Sequence, residues 1–209
     1  MPVEFVLNGA SVVVEADAER GESLLNVLRE RLGVTSAKDG CAPQGQCGCC
    51  TVLVDGEPRV ACVTPISRVA GRAVTTVEGL DPDVRDEAAA AFLATGGSQC
   101  GFCTPGIVMR FAGTRTREPN RALAAHLCRC TGWLTVRDAV SGSAVSRSAR
   151  DLDAARIRAE LESDCPQRVG TRVPLGAAPF ADDTAPRDAL VAVPLPPGSG
   201  AEAVEAARE

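Results

Sequence analysis

The sequence predicts an α+β protein: a small sheet domain, a compact helical unit after it, and an extended, largely irregular tail. Three observations carry that prediction. Residues 1–80 hold short runs of alternating apolar and polar residues around one helix-spaced stretch. From Asp83 the pattern switches to Ala- and Leu-rich helical spacing. Beyond Asp164 the chain is rich in Pro, Gly and Ala, and its one strand-like run, "ALVAVPL", cannot bury a core of its own.

Each element follows from local chemistry. Val3–Leu7 and Val12–Glu15 alternate around Asn8-Gly9, a pair suited to the tight turn of a hairpin. Ser23 is a capping residue ahead of Leu24, Leu25, Leu28 and Leu32, which share one helical face. A cysteine-rich loop, "GCAPQGQCGCCT", comes next, then strands at Thr51–Val54 and Arg59–Cys62 around "DGEP", and a fifth at Ala73–Val77. In the second unit, "VRDEAAAAFLATG" ends on Gly96-Gly97, a helix stop. "TPGIVMRFAG" opens with Pro in its first turn, and "NRALAAHL" and "TVRDAV" read as shorter helices. "SGSAVSRS" reads as a linker and Asp151–Glu162 as a further helix with charged faces.

Composition narrows the function. Only 3% of the 209 residues are aromatic and none is Tyr, so the core must come from Val, Leu, Ala and Ile. A core that lean usually calls for a metal or cross-links. The net charge of −5, without a basic stripe or aromatic platform, argues against nucleic-acid binding. No apolar run approaches the roughly 18 residues of a membrane span. The N-terminus reads as a hairpin and not as a signal peptide, which makes the cytoplasm the expected location. Ten cysteines in that reducing compartment point to metal or cluster ligation over disulfides.

The spacing of those cysteines sets the chemistry. Cys41-x5-Cys47-x2-Cys50, with Cys62 following after eleven intervening residues, is close to the plant-type ferredoxin pattern that wraps a [2Fe–2S] cluster. Gly40, Gly45 and Gly48 let the backbone approach sulfide and donate N–H groups. A second group, Cys100-x2-Cys103 and Cys128-x-Cys130, lies on helix-end loops able to face each other. Two four-cysteine zinc sites are the alternative. The Cys-x-Cys pair and the wrap-around loop favour iron–sulfur.

"GCAPQGQCGCCTVLVDGEPRVAC" and "QCGFCTPGIVM…HLCRCTGW" together resemble the iron–sulfur portion of the molybdenum hydroxylases, the family of xanthine dehydrogenase, aldehyde oxidase and aerobic carbon monoxide dehydrogenase. The resemblance covers Val3 to about Val140. It implies a β-grasp ferredoxin-type domain over residues 1–80, a small four-helix-bundle domain over 81–147, and a linker helix and tail over 148–209. It further implies that Cys41, Cys47, Cys50 and Cys62 hold one [2Fe–2S] cluster. Cys100, Cys103, Cys128 and Cys130 would hold a second, nearer the molybdenum cofactor, with Gln99 and Cys130 beside that cofactor's pterin. The implied partners are a molybdenum-binding large subunit and an FAD-binding subunit.

Three departures from the family pattern stand out. The Cys41–Cys47 loop is one residue longer than usual, so a bulge is expected at Gly45. The Cys103–Cys128 segment is shorter, and Cys49 replaces a small residue and is expected to be a buried filler. The tail from Arg168 is similar to the opening of the molybdenum-binding subunit. The implied role is relay of single electrons from molybdenum through two clusters to flavin or another acceptor. The rival reading is a free ferredoxin-like carrier or redox sensor.

No residue is a convincing substrate-level acid, base or nucleophile. His126 is expected on a helix surface, Asp182-Asp183 in a cap or turn, and Trp133 as a cover for the second cluster. No glycine fingerprint follows a strand, so no nucleotide site is expected.

Overall fold

The computed structural model describes residues 2–16, 21–114, 118–142, 151–163, 168–178, 180–186 and 188–190. Strands β1 (Pro2–Leu7) and β2 (Ala10–Glu15) form the expected antiparallel hairpin. Its turn uses left-handed backbone at Asn8 and Gly9. Alternation sets the faces: Val3, Phe5 and Val14 point into the core while Glu4 and Val13 face out.

Helix α1 (Leu24–Asn26) continues as a wider π turn through Val27–Arg31. The predicted cap is present, since Ser23 Oγ accepts from Asn26 N at 3.2 Å. Leu24, Leu25, Val27 and Leu28 are all buried beneath the sheet, and each such side chain contributes roughly 1.5–3 kcal/mol.

Strands β3 (Thr51–Val54) and β4 (Glu57–Val60) pair antiparallel, and β5 (Ala73–Thr75) inserts between β1 and β3. The sheet order is β2-β1-β5-β3-β4, with β1 and β5 parallel. The expected fourth strand is displaced: Ala61–Val63, which carries Cys62, forms a 3₁₀ turn. That turn swings Cys62 out of the strand and back to Cys50, whose Sγ accepts from Cys62 N at 3.4 Å.

Four helices follow: α2 (Pro82–Thr95), α3 (Thr104–Gly113), α4 (Pro119–Leu123) and α5 (Gly132–Val140). Helix α2 stops where predicted, at a left-handed Gly96. The stretch "NRALAAHL" was expected to be helical throughout, but α4 ends at Leu123 and His126 lies in the following loop.

Helix α3 lies across the β3–β4 hairpin. A Cβ at Gly113 would collide with the Leu53 side chain and come within 2.9 Å of the Gly56 carbonyl. One apolar core belongs to the sheet and α1, and a second joins Leu53 to Phe92, Ile107, Met109, Leu123 and Val136.

Helix α6 (Leu152–Ser163) matches the predicted charged helix. A turn at Val173–Ala177 then packs back over the loops: a Cβ at Gly101 would meet Val173 O at 2.7 Å. Residues up to Ala178 form one compact unit. A second begins at Pro179 and contains the short helix α7 (Ala181–Thr184), which includes Asp182 and Asp183. Cys165, most of the "SGSAVSRS" linker and most of the "ALVAVPL" run lie outside the described residues.

Candidate functional site

The chain brings its cysteines together in two groups. In the first group the thiol of Cys41 interacts with that of Cys47, and the thiol of Cys62 with those of Cys50 and Cys41. In the second, Cys100 meets Cys130 and Cys103 meets Cys128. Among the described residues no three His, Cys, Asp or Glu side chains converge to hold a single ion. Each iron of a [2Fe–2S] unit takes two protein thiolates, whereas zinc takes three or four ligands at one point. A donor set made of thiols alone fits iron–sulfur ligation.

The first group is built from backbone. Its extra residue is absorbed at two left-handed positions, Gly45 as expected and also Ala42 at φ 49°. Ala42 is held there because its N–H bonds Asp39 Oδ1 at 3.0 Å. The fold of the loop turns N–H groups inward, and Gln44 N donates to Cys41 Sγ at 3.3 Å.

Burial pushes the Cys41 thiol up, but N–H groups of Cys47, Gln46 and Gln44 outweigh it and lower the pKa to about 6. Cys50, deeper in the sheet core, is pushed up to about 12, chiefly by burial. Burial likewise raises Cys62.

The second group stands on helix ends. Cys103 is the N-cap of α3 and is pushed up to about 12 by burial and by Cys128 beside it. Burial would raise Cys128 as well, but the Thr131 hydroxyl and N–H bring it below the usual thiol range. Cys100 and Cys130 are exposed, and burial of the Cys100 sulfur still raises its pKa.

Leu127, Trp133 and Leu134, close in sequence to Cys128 and Cys130, are 61%, 42% and 65% exposed. Trp133, expected to cover the second group, lies in the first turn of α5 and is exposed. Gln99 is exposed beside Cys100 and lines a cleft of about 370 Å³ with Ser98, Asp151, Arg168 and Val173.

The two groups meet across a close backbone contact. Leu127 N donates to Cys47 O at 3.0 Å, so one hydrogen bond separates a residue of the first group from the neighbour of Cys128. The approach depends on glycine: a Cβ at Gly106 would overlap the Gly48 carbonyl, and one at Gly48 the ring of His126.

Cys49 is buried at this junction, with Cys47, Cys50 and Cys103 around it and its S–H 3.7 Å from Cys47 O. Burial and those neighbouring thiols push its pKa far up.

Three contributors escaped the sequence reading. His126 is 2% exposed and not on a surface, because its ring fills the space that Gly48 leaves open. Among the described residues its Nδ1 has no hydrogen-bond partner, and burial, with Arg110 nearby, lowers its pKa to about 4. Lys38 is buried beside the loop and donates its backbone N–H to Cys49 O at 3.3 Å. Thr131 contacts Cys128, and its place directly after "CRC" was the available signal.

Residues 76–141 match the family model described as a [2Fe-2S] binding domain. The chain is 37% identical over 149 residues to isoquinoline 1-oxidoreductase subunit alpha of Brevundimonas diminuta, covering 68% of this chain and 97% of that one. It is 35% identical over 148 residues to the nicotinate dehydrogenase small FeS subunit of Eubacterium barkeri, covering 66% of this chain and 91% of that one.

The chain belongs to the iron–sulfur subunit family of the molybdenum hydroxylases. It is thus the electron-transfer component of an oxidoreductase of this type, and the free-carrier reading is not favoured. The fold agrees: the crystal structure of the aldehyde oxidoreductase from Desulfovibrio desulfuricans superposes with a TM-score of 0.68 at 31% identity, over 87% of this chain and 22% of that one. No described helix of this iron–sulfur chain is long and apolar enough to cross a membrane.

Proposed function

We propose that this chain carries two [2Fe–2S] clusters in series. Cys41, Cys47, Cys50 and Cys62 would hold one, and Cys100, Cys103, Cys128 and Cys130 the other. When bound, the clusters supply one-electron steps between a two-electron reaction at molybdenum and flavin or another acceptor. The observation that carries this reading is the pairing of eight thiols into two groups joined by the Leu127 N to Cys47 O bond.

The chain's own residues supply position and tuning. The inward N–H groups of the Cys41 loop stabilise thiolate charge, and the α3 and α5 ends set the second group's sulfurs. The exposed Cys100 and Cys130, with the exposed apolar Leu127, Trp133 and Leu134 close in sequence to the second group, mark the side for a partner bearing the molybdenum cofactor. Gln99 and Cys130 would then adjoin the pterin. A flavin-binding partner would take electrons from the first group. The division into domains at residues 1–80, 81–147 and 148–209 belongs to the same reading. So does the likeness of the tail to the start of a molybdenum-binding polypeptide.

Leu134→Glu should reduce co-purification of a molybdenum-bearing partner by about tenfold, the effect of roughly 1.4 kcal/mol at an interface, while both cluster signals persist. Undiminished molybdenum in the purified complex would place the partner on another face.

A further inference from the structure

The inference below rests on reading Cys100, Cys103, Cys128 and Cys130 as the ligands of one cluster. Thr131 follows that ligand pair directly and caps α5. Its N–H donates to Cys128 Sγ at 3.5 Å, and its Oγ1 lies 3.2 Å from the same sulfur. The same hydroxyl is 3.2 Å from the Gly97 carbonyl oxygen, on the loop leading to Cys100.

Neither flank is free to drift. Gly97 N donates to Phe92 O at 2.9 Å, and a Cβ at Gly97 would meet Phe92 Cδ1 at 3.0 Å and Thr135 O at 3.1 Å. Thr135 Oγ1 donates to Thr131 O at 3.3 Å and holds the cap from the other side.

A hydroxyl has one proton, and here it has two acceptors. A metal-bound cysteine sulfur carries no proton, so it can only accept. We propose that the Thr131 hydroxyl sets the reduction potential of the second centre, donating to Cys128 Sγ in the reduced state and turning toward Gly97 O in the oxidised state.

Reduction adds one electron from the molybdenum side, or from dithionite in the test below. The added negative charge spreads onto the sulfurs, and no proton is transferred. The hydroxyl only rotates about its own C–O bond. A hydrogen bond to the more negative sulfur is the stronger one, so it favours the reduced form and raises the potential. Thr131 is therefore a positioning and tuning residue that never touches substrate.

The test is a dithionite titration of the iron-loaded chain followed by electron paramagnetic resonance. Thr131→Val keeps the branched shape and the backbone N–H but removes the hydroxyl. At the potential where the parent's second centre is half reduced, the variant's reduced-to-oxidised ratio should fall about tenfold, or about 59 mV for one electron.

The first centre's signal should not move, and Thr131→Ser should restore the parent value. If Thr131→Val fails to load iron, Thr131→Ala carries the same expectation. An unshifted potential overturns the proposal, as does a serine variant that shifts as far as valine, since packing would then be responsible. A parent with fewer than two signals would instead overturn the ligand reading beneath it.

Discussion

The two cysteine groups solve one chemical problem by opposite means. The first is a loop closed on itself, with Cys47, Cys50 and Cys62 buried and its thiolate charge met by backbone N–H groups. The second is assembled from two helix ends, leaving Cys100 and Cys130 exposed. Neighbouring residues divide between them: Cys50 packs in the sheet core and Cys49 in the helical core. A closed group can hold its cofactor alone, whereas an open one is completed by whatever docks on it. The order of closed and open fits a relay that takes electrons from a partner at its exposed end.

The sharpest way to break this contrast is to remove a thiol from each side of the junction. Cys50→Ala should cost about half the bound iron and the first centre's paramagnetic signal. Cys49→Ala should retain all the iron, since the proposed ligand set leaves its thiol a buried neighbour of Cys47, Cys50 and Cys103. Iron loss in Cys49→Ala with retention in Cys50→Ala would shift the ligand register by one. On the open side, Cys130→Ala should abolish the second signal and spare the first.

A second test compares thiols within the closed group after cluster removal. With a pKa of about 6, Cys41 is mainly thiolate at pH 7, while Cys50 at about 12 is almost wholly protonated. Iodoacetamide at pH 7 should therefore modify Cys41 first, its rate falling as the pH drops below about 6. Mass mapping of the alkylated peptides checks this, and preferential labelling of Cys50 would contradict the hydrogen-bonded loop.

The smallest effect concerns the junction between the groups. His126 has a folded pKa of about 4 against an ordinary 6.5, so the unfolded chain takes up the proton first as the pH falls. Stability from neutral His126 is complete above about pH 6.5 and is lost progressively toward pH 4, by roughly 3 kcal/mol in all. His126→Asn should flatten that part of the curve in urea denaturation at pH 7 and pH 5. An unchanged slope would mean the ring is solvated.

Much of this was legible because it depends on local pattern. The Asn8-Gly9 hairpin, the Ser23 cap and the Gly96 stop each rest on a few adjacent residues, and each is present. The [2Fe-2S] binding domain was legible from spacing and resemblance together. The features that escaped depend on particular side-chain contacts, some near in the chain and some far. Ala42 takes a left-handed conformation because Asp39 reaches back to it, and only the lengthened loop hinted at that. His126 is buried because Gly48 leaves room for it 78 residues earlier in the chain, a relation no periodicity records. The short α4 and the turn at Ala61–Val63 likewise answer to tertiary packing over propensity.

The account stands most directly on what the purified chain binds. Iron, zinc and acid-labile sulfide measured on the same sample, with paramagnetic resonance of the dithionite-reduced protein, address that in one experiment. Two [2Fe–2S] clusters predict about four iron and four sulfide per chain and two distinguishable signals. Near-stoichiometric zinc without sulfide would contradict it.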